Sequence, residues 1–188
     1  MKKALIILVV VLLSFTAYGR VPTKFKGVPL TAPFSELKRM LNKKFTLFFY
    51  VDEKEKTTPV YKGNFAGYKT LVVAKSFSHK IAYVAVLIPV DESNWKSIYY
   101  KLVNQIKRKY GKYNLSKFVI KYPYTKGDND EYQAVTSKKS TIYTLWKSNY
   151  YQLVVEVNSK GKIMVRYSNS LVFTQMLADI DRKQRDEL

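Results

Sequence analysis

Between Ser93 and Gly111 the chain reads SNWKSIYYKLVNQIKRKYG. Trp95, Ile98, Tyr99, Leu102, Val103, Ile106 and Tyr110 recur at helical spacing, and Lys101, Lys107, Arg108 and Lys109 fall between them. That pattern predicts an amphipathic helix over about 94–110, N-capped by Ser93 and stopped by Gly111. Just before it, Ile81–Ile88 is apolar on both faces, which predicts a strand at the centre of a sheet. The helix therefore needs a sheet to pack across.

Working outward, strands are expected on both sides. Thr46–Val51 is aromatic and β-branched. Val60–Lys62 follows Pro59 and suits an edge, with a turn at Gly63-Asn64. Tyr68–Lys75 and Lys80–Pro89 flank a hairpin loop at Ser76–His79. After the helix come strand patterns at Lys117–Tyr122, Glu131–Val135, Thr141–Lys147, Tyr150–Asn158 and Lys162–Tyr167. In Tyr150–Asn158 the alternation puts Tyr151, Leu153, Val155 and Val157 inward.

A first helix is expected over Thr31–Asn42, capped by Thr31. A last one is expected over Ser170–Arg185, with Leu171, Phe173, Met176, Leu177 and Ile180 inward. Arg20–Leu30 reads as an extended lead-in with Phe25 and Val28 inward. Neighbouring strands joined by short turns imply antiparallel pairing and an α+β fold. The order suggests a tandem repeat of a helix plus four strands, about 20–90 and 91–188, within a single domain 20–188. That layout looks like β-lactamase-inhibitor-like modules, an analogy of fold only.

Met1–Gly19 reads as a secretory signal peptide. Lys2 and Lys3 precede an unbroken apolar run, Ala4–Leu13, and the small-residue triplet Ala17-Tyr18-Gly19 closes it. The run is short for a span, which needs about 20 residues. Cleavage near Gly19 implies a periplasmic or extracellular protein whose mature chain has no transmembrane helix. Losing Lys2 and Lys3 takes the formal charge from +19 to +17. Arg185–Leu188 imitates an endoplasmic-reticulum retention signal, but the leader looks bacterial and a charged helix end explains it.

Several segments resemble a family of small exported proteins from Bacteroidetes-type bacteria. They are Lys24-Phe25-Lys26-Gly27-Val28-Pro29-Leu30, Phe34-Ser35-Glu36-Leu37, Gly63-Asn64-Phe65-Ala66-Gly67-Tyr68, Lys109-Tyr110-Gly111-Lys112 and Gly127-Asp128-Asn129-Asp130-Glu131-Tyr132. The charged carboxyl-terminal helix is similar too. The resemblance spans nearly the whole mature chain. It implies a bacterial envelope location and brings no catalytic residue with it.

The residues argue against most enzyme chemistries. With 188 residues, no Cys and one His, thiol nucleophiles, Cys zinc sites and sites needing two imidazoles are excluded. His79 sits in a predicted loop with no acid near it. Ser93-Asn94-Trp95-Lys96 matches Ser-x-x-Lys at a helix start, but the companion motifs of penicillin-recognising enzymes are missing. The candidate acids Asp52, Glu53, Glu55, Asp91 and Glu92 are dispersed over loops and strand ends, where a paired hydrolase mechanism would gather two. Asp128, Asp130 and Glu131 are weak metal candidates, better read as a turn. No cofactor motif is present.

Charge is the unusual property. Ser93–Gly127 carries no acid, and neither does the stretch between Glu55 and Asp91. Lysines and tyrosines interleave through both. Lys101, Lys107, Arg108, Lys109 and Tyr100 are the candidate ligand-binding residues. The expectation is a non-enzymatic exported binding protein, its partner an anionic glycan, an anionic lipid surface or a protein. Export argues against nucleic acid. A hydrolase using scattered carboxylates, or a structural envelope component, is the alternative.

Overall fold

A computed structural model describes residues 21–51 and 58–186. The leader Met1–Gly19, Arg20, the acids Asp52, Glu53 and Glu55, and the terminal Glu187-Leu188 lie outside the described residues. The chain opens with a small hairpin, β1 (Lys24–Phe25) and β2 (Val28–Pro29). Helix α1 (Phe34–Lys44) and strands β3 (Thr46–Tyr50), β4 (Pro59–Phe65), β5 (Tyr68–Phe77) and β6 (Lys80–Pro89) follow. The second half repeats this order. It has α2 (Trp95–Tyr110), β7 (Leu115–Ile120), a short α3 (Glu131–Thr136), then β8 (Ser140–Lys147), β9 (Tyr151–Asn158) and β10 (Lys162–Asn169). Helix α4 (Ser170–Asp186) ends the description.

All eight long strands form one antiparallel sheet, ordered β3-β4-β5-β6-β10-β9-β8-β7. The halves meet where their last strands pair, from Lys162 opposite Pro89 to Ser168 opposite Tyr83. The fold is thus α+β, with a helix and four antiparallel strands in each half. The apolar run Ile81–Ile88 lies at the centre, as its two-sided hydrophobicity implies.

Helices α1 and α2 and the β1–β2 hairpin share one face. Across that face runs the row Tyr61, Val72, Val86, Val165, Val155 and Thr144, none more than 1% exposed. Leu37 and Leu41 of α1, and Trp95, Tyr99 and Leu102 of α2, close over it in one continuous core. Phe25 and Val28 point inward, as expected.

Six expectations are corrected. Glu131–Val135 is a helix. Asp128 accepts from the backbone N–H of Thr125 (2.8 Å) and of Asp130 (3.1 Å), and Ala134 N–H closes on Asp130 O (3.0 Å). These local hydrogen bonds tighten the loop into the helix and override a weak alternation over so few residues.

The edge strand is β3, not β4. The β4–β5 turn is at Ala66-Gly67 (φ 51 and 86) rather than at Gly63-Asn64; Gly63 pairs with Thr70 within the strand, and a Cβ there would lie 2.3 Å from a Phe45 ring atom.

The remaining three concern helices. Thr31 does not cap α1, which starts after Pro33; Pro33 bridges Lys80, and Phe34 N–H donates to His79 O (2.9 Å). Ser93 does not cap α2, since its hydroxyl turns to Asp91 and Asn94 occupies the cap position. On α4, Leu171, Leu177 and Ile180 are 64%, 44% and 41% exposed, while Val172 and Met176 are buried. The helix seals only a narrow strip, so most of its apolar arc stays outside.

Candidate functional site

Helix α2 carries the predicted binding residues, and no acid lies along it. Its buried stripe fixes which way the others project. At about 100° per residue, Lys101, Arg108 and Lys109 fall on one flank, and Tyr100 and Lys107 on the other with Lys96. The five residues therefore form two rims rather than one patch. Lys101 Nζ lies 5.8 Å from the Tyr68 ring centre and Lys109 Nζ 5.1 Å from that of Tyr110. Tyr100 is half-exposed and packs edge-on against Tyr99.

The helix is pinned from below. Tyr99 and Thr144 share a hydroxyl hydrogen bond of 2.8 Å, and Trp146 Nε1–H donates to Gly111 O (3.0 Å). Burial pushes the Tyr99 phenol up to about 12, so it remains a neutral hydrogen-bonding group.

The acids are occupied structurally. Glu131 is 3% exposed, accepts from Gly127 N–H (2.6 Å) and pairs with Lys96 of α2. Asp91 accepts from the Ser93 hydroxyl (2.6 Å), Ser93 N–H (2.9 Å) and the Asn94 amide (2.7 Å). The Ser93 hydroxyl contact is the main reason its carboxyl lies below the usual range. Ser93 and Lys96 thus face different acids and do not form a nucleophile–base pair. Among the described residues, no three of His, Cys, Asp and Glu gather as metal ligands. His79 is exposed at the β5–β6 turn (φ 62).

The other face of the sheet is the larger feature. Strand register places Thr46, Lys62, Leu71, Leu87, Met164, Glu156, Tyr143 and Lys117 in one row across all eight strands. None of the eight is buried, whereas the row on the opposite face is sealed. Beside it runs Phe49, Val60, Val73, Ala85, Arg166, Val154, Leu145 and Leu115, of which Val60, Ala85 and Val154 are buried.

A bulge between Leu47 and Phe49 sets Phe48 next to Phe49 (ring centres 5.0 Å apart). Lys62 Nζ lies 3.3 Å from the Phe48 ring centre. Helix α4 covers one end only, with Val172 and Met176 against Ala82 and with Phe77 and Tyr83 alongside. Phe173 meets Tyr83 and the Arg166 guanidinium (4.8 Å) and looks toward the uncovered part.

The face has an aliphatic floor, with Lys62 and Lys117 toward its two sides and Arg166 on the central strand β10. Glu156 is the acid in the two rows. Burial pushes its carboxyl above the usual range, and the Arg166 charge offsets this only in part. Eight strands at about 4.8 Å spacing make the row roughly 34 Å long. Composition hints at this surface only through the alternation in β5 and β9; α2, which the charge pattern singles out, lies on the opposite side. No described helix is long and apolar enough to cross a membrane. A scan of protein-family models, a search of curated proteins and a search of solved structures each found no match.

Proposed function

We propose that the chain is an exported, non-enzymatic binding protein, and that the uncovered sheet face docks a protein partner with an apolar centre and an acidic border. The observation that carries this reading is the eight-residue row from Thr46 to Lys117, exposed at its ends, half-buried in its middle, nowhere sealed, and bearing one acid. An antiparallel sheet can leave one face to water, but that face is then usually polar. Here Leu71, Leu87, Met164 and Tyr143 occupy its middle. A second copy is disfavoured, because two faces of the same positive sign repel. The leader-like Met1–Gly19 and the resemblance to exported envelope proteins support the location.

The test is photo-crosslinking in the producing cell, with benzoylphenylalanine at Leu71 or Tyr143, and at Arg39 and Gln133 as controls. One protein adduct is expected from the face positions, lost when Lys62 and Arg166 are both changed to Glu. Identical adducts from the control positions would sink the reading.

A second reading has its own observation, the acid-free cationic outer surface of α2. It would bind an anionic glycan or lipid surface through many weak contacts. Binding to lipopolysaccharide, anionic glycans and anionic vesicles, compared at low and near-physiological salt, decides it. Retention at the higher salt supports this reading, and uniform loss reduces the charge to background.

A further inference from the structure

A groove of about 940 Å³ lies on the helical side of the sheet, between the β1–β2 hairpin and the carboxyl-terminal half of α2. It arises because two separate elements sit on the same strands. The hairpin is anchored by Phe25, whose ring meets Tyr167 of β10 edge-on at 5.2 Å and stacks over Phe65 at 6.4 Å. Helix α2 is anchored by Leu102 and Ile106, and its exposed Gln105 lines the gap together with Lys109 and Tyr110. The space is of the size that holds small organic ligands.

Its lining divides into body and rim. Phe25, Phe65, Tyr110 and Tyr151 supply aromatic walls, and Tyr167 forms part of the floor. Burial raises the Tyr167 phenol well above its ordinary range, so its hydroxyl is a neutral hydrogen-bonding group at any physiological pH. Lys24, Lys26 and Lys109 stand at the rim. Two of them already lie on aromatic faces, Lys26 Nζ 5.4 Å from the Phe65 ring centre and Lys109 Nζ 5.1 Å from that of Tyr110. Among the described residues no Asp or Glu lines the groove, and the segments that build it are acid-free. Three cations beside an aromatic trough favour one ligand chemistry. The body is apolar and the head is anionic.

We infer that this groove binds a small anionic amphiphile, an acyl chain or ring system bearing a carboxylate, phosphate or sulfonate head. The body lies along Phe25, Phe65 and Tyr151, and the head is held by Lys24, Lys26 and Lys109. The site is on the opposite side of the sheet from the docking face and stands or falls independently of it.

The probe is 8-anilinonaphthalene-1-sulfonate, compared with N-phenyl-1-naphthylamine, the same rings without the charge. Enhanced fluorescence is expected with the anion, and affinity about tenfold or more weaker for the uncharged compound. The triple change Lys24→Ala, Lys26→Ala, Lys109→Ala is expected to weaken the anion by a similar factor. The exposed triple Lys44→Ala, Lys139→Ala, Lys160→Ala, which removes equal charge elsewhere, is expected to leave it within about twofold.

Gln105→Trp fills the gap from a surface position and is expected to abolish binding with the melting temperature unchanged. Laurate and 1-naphthoate then serve as competitors, the stronger one identifying an acyl or a ring body. Three results would each overturn the proposal. They are equal affinity for the uncharged probe, equal loss in both lysine triples, or displacement by neither competitor.

Discussion

Glu156 shows how a single residue can register its surroundings. It sits mid-row on the open face, between Tyr143 and Met164, where neighbouring side chains remove water. Its carboxyl is therefore raised in the folded chain relative to the unfolded one. Between the unfolded value and the raised folded value the native state binds more proton, so stability falls as pH rises through that window and stays lower above it. Glu156→Gln is expected to raise the melting temperature near pH 7 and to leave it unchanged near about pH 3, where both states are protonated. Equal shifts at both pH values would show that packing, not ionisation, is responsible.

Ile88 and Leu87 are adjacent residues on opposite faces of β6 and give a second contrast. Ile88→Ala is expected to cost about 2–5 kcal/mol in urea unfolding, because it opens a cavity in the sealed core. Leu87→Ala, on the open face, is expected to cost clearly less. A reversed order would mean that the two faces have been interchanged.

Among the elements, α3 and its preceding loop matter beyond their length. They bring Glu131 under α2, where the carboxylate pairs with Lys96 and accepts from Gly127 N–H. Glu131 is buried, so truncating it takes the acceptor from the Gly127 N–H, while the Lys96 ammonium left behind is half-exposed. Glu131→Ala is expected to cost about 1–3 kcal/mol, the range for leaving a donor unsatisfied. Urea unfolding against the parent chain measures it, and a cost under about 0.5 kcal/mol would place the pair among surface contacts.

Glu131-Tyr132-Gln133-Ala134-Val135 is short enough to fit a strand or one turn and a half of helix, and the hydrogen-bonded loop before it tips it to helix. Helix α4 departs from expectation for another reason. Periodicity assumes that a partner surface covers the whole apolar arc, and it places Leu171, Leu177 and Ile180 inward while passing over Val172. The sheet beneath meets Val172 and Met176, and Leu177 and Ile180 pass beyond it.

At the scale of the molecule, β6 and β10 join the halves into one sheet over one core. Both tryptophans, Trp95 and Trp146, belong to the second half, whereas backbone circular dichroism senses both. Coincident urea transitions by the two probes are expected if the halves unfold together. A tryptophan transition displaced from the dichroism curve would mean that the repeats are separately stable.

Much of this architecture was legible beforehand. The spacing of Trp95, Tyr99, Leu102 and Ile106, the two-sided hydrophobicity of Ile81–Ile88 and the alternation of Leu153, Val155 and Val157 are local patterns with local causes. Helix class, strand class and the repeated order follow from them. The cationic character of the chain, with its two long acid-free stretches, is likewise legible in the residues alone. What sequence could not supply is which segments meet. The groove takes Phe25, Phe65, Tyr110, Tyr151 and Tyr167 from five places, and the open row takes one residue from each of eight strands. Strand order and register bring these residues together, and both are set by long-range pairing that no short window contains.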